Sequence, residues 1–423
     1  MDDAGSSLQA VMARIGREAR DGARALRLSA SEVRTAAIAG MAAAIRRRAE
    51  VILAANLEDQ AVARAAGLNA AMIDRMALDA GRIAALADAV DAIAAIPDPV
   101  GAEITRWDRP NGLDIARVRT PIGVIAMIYE SRPNVTADAA ALCVRSGNAV
   151  ILRGGSECLR SNLAIHAAVA EGLEAAGLPV SCVQAVPTAD RAAVGLILGG
   201  LDGAVDLIIP RGGKGLVARV QAEARAPVLG HLEGLNHVFV HAAADLDKAK
   251  AVVVNAKMRR VSVCGSAETL LIDKAAAARL LPTIAAALAE AGCELRGDEA
   301  ARAITPMSAA TAEDWSTEYL APIIAVAVVD GVDGAAAHIA AYGSGHTDAI
   351  LTEDAAAAEA FITAVDSAIV LVNASTQFAD GGEFGFGAEI GIATDKLHAR
   401  GPVGAEQLTT FKYVVRGTGQ TRP

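Results

Sequence analysis

The chain has 423 residues, of which 53% are hydrophobic, 21% charged and only 3% aromatic, with a formal charge of −10. That length and apolar content suit two domains, or two plus a small appendage, around an aliphatic core, and exclude global disorder. The acidic balance argues against a nucleic-acid or anionic-membrane surface, no apolar run reaches a membrane span, and five scattered cysteines make no disulfide framework.

The opening segment MDDAGSSLQAVMARIGREAR is charged and amphipathic rather than signal-like, so a cytoplasmic protein is expected. Residues 8–96 carry apolar side chains at three- and four-residue steps, which predicts a run of helices ended by the Pro97-Asp98-Pro99 stop. Residues 103–120 alternate instead, around an Asn111-Gly112 pair, and predict a hairpin. After Pro121, GVIAMIYE and NAVILRG read as buried strands with an Ala-rich helix between them. The strand candidates SCVQAV and VDLIIP follow, alternating with helices, and VLGHLEGLNHVFVH closes this series. Such alternation predicts a parallel, doubly wound sheet. A second α/β unit runs through AKAVVVNAKMRR, VSVCGSAETLLID, a helix over 274–292 and strands near 323–329 and 368–372. Residues 373–405 are Gly-rich, and LTTFKYVVRGTG is a terminal strand of the kind added to another sheet or subunit.

Several positions carry chemistry. Arg211-Gly212-Gly213-Lys214-Gly215 joins a strand to a helix, where backbone N–H groups favour phosphate oxygens; an ordinary strand–helix turn reads equally well. Arg153-Gly154-Gly155-Ser156 at a strand end suits a nucleotide edge, and an arginine there suits a ribose phosphate; a surface arginine on a turn is the competing reading. Cys264 follows VSV and precedes Gly-Ser-Ala, a strand-to-turn setting that exposes a thiol, with Arg259 and Arg260 placed to lower its pKa; packing is the alternative role. The seven histidines form no HExxH and there is no CxxC or GxSxG, so neither a metal site nor an ordinary serine hydrolase is predicted.

The blocks IGVIAMIYESRPNVTADAAALCVRSGNAVILRGGSE, NAKMRRVSVCGSAETLLID, HIAAYGSGHTDAI and FGFGAEIGIATDKLHARGPVGAEQLTTFKYVVRG together closely resemble the gamma-glutamyl phosphate reductase (glutamate-5-semialdehyde dehydrogenase) family of the aldehyde dehydrogenase superfamily. Ala393 departs mildly from the family's GxxxGIST pattern. The resemblance implies an α/β, aldehyde dehydrogenase-like fold: a Rossmann-type cofactor domain (1–102 and 121–238), an α/β catalytic domain (239–405) and an oligomerisation flap (103–120 and 406–423). It also implies NADPH-dependent reduction of L-glutamyl 5-phosphate to L-glutamate 5-semialdehyde in proline biosynthesis, through a Cys264 thioester. Asn134 matches the superfamily's oxyanion asparagine. Arg153, Ser156, Gly212, Gly213 and Glu318 match cofactor contacts, with Ser156 in place of a glutamate that would repel a 2′-phosphate, favouring NADP. Ser131, Arg132 and Arg260 are candidates for the phosphate, and His398 and Arg400 for the α-carboxylate. Glu233 is not assigned as a hydrolytic base. A homo-oligomer is expected, and association with glutamate 5-kinase is conceivable on the same resemblance. The competing functions are a hydrolytic NAD(P)-dependent semialdehyde dehydrogenase, a non-catalytic nucleotide-binding subunit and a zinc enzyme resembling histidinol dehydrogenase.

Overall fold

Five helices, Leu8–Leu28, Ser31–Arg47, Ala49–Ala65, Ala70–Met76 and Ala80–Ala95, fill the helical region expected from periodicity. Ser7, Asn69 and Asp79 start three of them by accepting hydrogen bonds from the first-turn N–H groups of Ala10, Met72 and Arg82. These features belong to a computed structural model that describes residues 7–422. Residues 1–6 and 423, at the ends of the expected cofactor domain and flap, lie outside the described residues.

β1 (Glu103–Asp108) and β2 (Asp114–Pro121) form the expected antiparallel hairpin. Gly112 supplies its turn with φ +86°, a left-handed value that glycine adopts without penalty. β3 (Val124–Tyr129), β4 (Ala149–Gly154), β5 (Val183–Ala185) and β6 (Leu207–Arg211) make a parallel sheet in the order 5-4-3-6. Both faces of that sheet are covered. Ile125, Met127 and Tyr129 pack into a core with the N-terminal helices, while Val124, Ala126 and Ile128 pack into a second core on the other face.

β7 (Asn236–Val240), β8 (Ala267–Asp273), β9 (Glu294–Gly297), β10 (Ser308–Ala309), β11 (Ile323–Val329), β12 (Thr347–Leu351) and β13 (Ile369–Val372) form a second parallel sheet, ordered 10-9-11-8-7-12-13. The segment VLGHLEGLNHVFVH therefore serves both sheets: Val228 bridges to Ile208 of β6 in the first, as expected, and Asn236–Val240 enters the second. The boundary drawn at 238 falls inside β7, whose partners are β8 and β12. β14 (Ile392–Ala393) and β15 (Gly401–Pro402) pair in the Gly-rich region. β16 (Thr409–Arg416) joins β2 of its own chain, so the flap is a three-stranded sheet, β1-β2-β16.

Chain order in the first sheet runs outward through β3, β4 and β5 and then returns to β6 on the far side of β3. The reversal leaves a crevice outside the carboxyl ends of β3 and β6, where open α/β sheets bind ligands. Tyr129 is in register with Arg211, so the loops after the two strands start side by side.

Helices Ser31–Arg47 and Leu159–Ala175 cross at glycines. A Cβ on Gly172 would stand 2.7 Å from Met41 Cα, and one on Gly40 would stand 3.1 Å from Gly172 Cα. Gly172→Ala forces two backbones apart and should cost about 1–3 kcal/mol; a lowered midpoint in thermal or denaturant unfolding checks this.

Candidate active site

Cys264 lies between the helix Leu246–Met258 and β8, in a turn at the amino end of the strand. The VSV before it is part of that turn and not a strand, so the setting is helix-to-strand. Three loops enter the adjacent parallel strands β8, β7 and β12 at this edge, and they are bound to one another. Asn236 Nδ2 donates to the carbonyls of Cys264 (2.5 Å) and Ser266 (2.8 Å), while its Oδ1 accepts from Thr347 N (3.1 Å). A Cβ on Gly234 would lie 2.9 Å from Cys264 Cα, so only glycine lets the two backbones touch here. Ser344 Oγ accepts from Leu235 N, and Asp348 Oδ1 accepts from His237 N. The polar residues of Ser344–Asp348 thus clasp residues 235–237, which in turn hold the cysteine loop.

Cys264 is half-buried, and one nitrogen of His231, one of His346 and its own Sγ lie within 4.8 Å of one another. The two rings meet edge to face at 4.9 Å. His231 Nδ1–H donates to Ile392 O (2.7 Å), which leaves Nε2 with its lone pair. His346 is fully buried, its Nδ1 is paired with Thr347 Oγ1 (2.9 Å), and its Nε2 has no partner. Burial holds both imidazoles below their ordinary pKa, and His231 pushes His346 down further. Sequence spacing could not reveal this pair, because its members approach the cysteine from separate strand-entry loops.

Burial also pushes the Cys264 thiol up to about 11, against the favourable charge of Arg211 and with opposition from Glu389 and Glu318. The expected assistance from Arg259 and Arg260 is not what the structure provides. Arg259 is turned to Gln377 Oε1 (3.5 Å), and Arg211 is the cation acting on the thiol. A Cβ on Gly391 would meet Arg211 Nη1 at 3.3 Å, so the glycine gives the guanidinium room.

Arg132 is lowered to about 10, chiefly by burial and then by repulsion from Arg211 and Arg75, with Arg260 adding a smaller part. Arg132 thus shares its field with Arg211, Arg75 and Arg260, and a concentration of positive charge of this kind favours an anion. Ser131 does not belong to that site as expected. Its hydroxyl and N–H both donate to Glu157 Oε1, at 2.9 and 2.6 Å, and it is buried with φ 48°. Its donors are committed to holding the loop after β3.

The structure also gives His398 and Arg400 structural partners. His398 Nε2 pairs with Gln407 O, while Arg400 donates to Thr394 O, Asp366 O and Asp366 Oδ1. Every nitrogen of that guanidinium is used within its own chain. Glu389, which motif reading did not single out, is half-buried in the field of Cys264 and Arg211, and burial raises its pKa. A carboxylate so placed suits an ammonium group on a substrate.

At the crevice of the first sheet, the helix Lys214–Glu223 begins at Gly213 without a side-chain cap. Gly213 N–H instead holds an anionic oxygen, Glu130 Oε2, at 3.1 Å. That carboxylate occupies a position suited to a phosphate oxygen. Arg153 is buried and donates only to the carbonyls of Gly154, Ala189 and Asp190, and its Nε has no partner. Among the described residues no carboxylate is in ion-pair contact with it, so its charge is available to a ligand. Ser156 is exposed on the turn that follows. Glu318 is half-buried and spends one oxygen on Gly234 N–H (2.9 Å). These residues offer an arginine and a helix-start N–H at the edge where open α/β sheets bind ligands. Asn134 is exposed, and its Nδ2 donates to Asp138 Oδ2 (3.0 Å); burial raises that carboxyl to about 6.

Residues 6–319 match the aldehyde dehydrogenase family. The chain is 79% identical over 413 residues to the gamma-glutamyl phosphate reductase of Caulobacter vibrioides, covering 97% of this chain and all of that one. It is 60% identical over 422 residues to that of Rhodopseudomonas palustris, covering 100% and 98%. The crystal structure of the Thermotoga maritima gamma-glutamyl phosphate reductase superposes with a TM-score of 0.95 at 44% identity, covering 97% of this chain and 100% of that one.

A thiol raised to about 11 is largely protonated at neutral pH. Iodoacetamide should therefore label Cys264 of the free protein about tenfold faster for each unit of pH between 7 and 9, as followed by mass spectrometry; a plateau already reached at pH 7 contradicts this. Gly234→Ala should displace the cysteine loop and lower turnover about tenfold or more while circular dichroism stays native, since the atoms nearest the added methyl belong to the Cys264 backbone.

Proposed function

The chain belongs to the aldehyde dehydrogenase family, among its gamma-glutamyl phosphate reductases, and from that premise we infer that it reduces L-glutamyl 5-phosphate to L-glutamate 5-semialdehyde with NADPH, releasing phosphate, as a step of proline biosynthesis. The observation that carries this reading is a half-buried thiol within reach of two imidazoles held below their ordinary pKa, in a field that Arg211 makes favourable to the thiolate and that Arg132 shares.

The chemistry follows from those positions. Arg132, Arg211 and Arg260 receive the phosphate of the acyl phosphate and set its carbonyl over Cys264. Sulfur attacks the carbonyl carbon, the C–O bond to phosphate breaks, and a thioester forms on Cys264. Phosphate departs as a strong base, so the proton lost by sulfur is the proton it needs. An imidazole of the His231–His346 pair carries it across with no net exchange with solvent. When bound, NADPH supplies the hydride that converts the thioester to a thiohemiacetal. Negative charge builds on the carbonyl oxygen in both halves, and Asn134, once turned from Asp138, donates to it with the Cys264 N–H. The thiohemiacetal collapses to aldehyde, and sulfur takes a proton from solvent. Glu389 holds the substrate's α-ammonium.

For the cofactor, Gly212 and Gly213 cradle the diphosphate after Glu130 yields the Gly213 N–H. Arg153 meets the adenosine 2′-phosphate beside Ser156, which supports NADPH over NADH, and Glu318 holds the nicotinamide ribose with its remaining oxygen. The first sheet with the N-terminal helices forms the cofactor domain, and the second sheet forms the catalytic domain. Trp107, Phe411, Tyr413 and Val415 are exposed on the flap sheet, which supports self-association through it. No described helix is long and apolar enough to cross a membrane, and a cytoplasmic biosynthetic role suits the chain. Hydrolytic dehydrogenase activity is disfavoured because Glu233 is ion-paired to Lys214.

The test runs the reaction backwards. Glutamate 5-semialdehyde should reduce NADP only when phosphate is present, and Cys264→Ser should bring the rate to background. Arg132→Ala should raise the phosphate KM about tenfold, as expected for one lost charge-assisted hydrogen bond. Acid production without phosphate would overturn the reading in favour of the hydrolytic enzyme.

A further inference from the structure

The three atoms that meet at the nucleophile have a second chemistry. One thiolate and two imidazoles are the donor set of a soft or borderline divalent cation, and three protein ligands with an open fourth position are a familiar zinc arrangement. The orientation suits it. His231 gives its Nδ1–H to a backbone carbonyl, the outer bond that metal-binding histidines commonly make, and so keeps the Nε2 lone pair free for a cation. His346 is fully buried with Nε2 unpartnered, and a buried polar atom without a partner is costly. We propose that Cys264, His231 and His346 form a reversible binding site for Zn2+ that shuts the enzyme off by taking its nucleophile.

Distances allow it with a small contraction. Bond lengths of about 2.0–2.3 Å to zinc place tetrahedral donors about 3.5 Å apart, against the 4.8 Å within which these three already lie. Rotation of the Cys264 side chain on its held backbone and a small shift of His231, which sits in an irregular loop, close the gap, while His346 stays fixed in the core. Binding converts S–H to a zinc–sulfur bond and releases the proton to solvent; no electron is transferred. Arg132 and Arg211 oppose a dication, and Glu389 and Glu318 partly offset them. That balance makes a site that fills and empties, unlike a structural zinc site. Cation binding rests on geometry alone; the inhibition rests also on Cys264 being the nucleophile.

The experiment adds Co2+ to the chelator-treated full chain and records its absorption spectrum. One equivalent should give the near-ultraviolet thiolate-to-cobalt band together with the visible bands of four-coordinate cobalt, and Zn2+ should displace both. Cys264→Ser should abolish the near-ultraviolet band. His231→Asn and His346→Asn should each weaken binding by about tenfold or more; His231, being only half-buried, carries this arm if the core variant fails to fold. Zn2+ should inhibit the reductase, and a chelator should restore it fully. The absence of the near-ultraviolet band in the unmodified protein, or unchanged affinity in both folded histidine variants, would overturn the site. A protein that shows the band but no reductase activity would refute the proposed function and leave the cation site standing.

Discussion

The nucleophile's place is set by backbone held against backbone. Gly234 and Cys264 touch where no side chain fits, and the Asn236 amide binds both strand-entry carbonyls of the cysteine loop while accepting from the loop before β12. One asparagine therefore couples three neighbouring parallel strands at their amino edge. A parallel sheet supplies the stiffness for this, since β7 is buried along its whole length. The motif around His346 follows from the same constraint: Ser344, Thr347 and Asp348 each hold one residue of the segment 235–237. It gives His346 its position as a consequence.

Electrostatics pulls the site in two directions. Burial makes the thiolate costly, and the Arg211 charge recovers only part of that cost. When a phosphorylated substrate arrives, its negative charge neutralises the arginines that favoured the thiolate, so substrate binding by itself makes the sulfur harder to ionise. Proton transfer must then be local and timed with attack. A neutral imidazole at the sulfur answers that need, and a permanently ionised cysteine would not. The free protein also keeps its thiol protonated and so less reactive toward oxidants.

The layers of the fold were legible because their patterns are local. Helical periodicity over 8–96, the Asn111-Gly112 hairpin and the apolar runs GVIAMIY and NAVILRG each declare themselves within a few residues. Cys264 could be singled out by its Gly-Ser neighbours and by resemblance. What surrounds it could not, since His231, His346, Arg211 and Glu389 reach it only through tertiary contacts. Arginine function was the least legible property. Arg132 and Arg400 look alike in sequence, yet one lies among like charges and the other is consumed by Asp366 and Thr394. The same holds for Ser131, whose hydroxyl was spent on Glu157, a residue that local spacing does not point to. The short β12 escaped notice because five residues carrying Thr and Asp do not read as a buried strand until their partners are known.

A thioester must outlive its encounter with water but not with hydride, and the carboxylates near Cys264 show how that selectivity is built. Glu233 is paired with Lys214, Glu318 accepts from Gly234 N–H, and Glu389 accepts from Gly381 N–H. Each has part of its basicity committed to a structural donor, and Glu318 is bound to the backbone that positions the cysteine. Freeing Glu318 to activate water would loosen the frame that presents the sulfur. Protection of the acyl intermediate and placement of the nucleophile thus share one hydrogen bond. A change that opened the site to hydrolysis through Glu318 would be expected to misplace Cys264 as well, which ties the phosphate-releasing outcome to the geometry rather than to the absence of a single base.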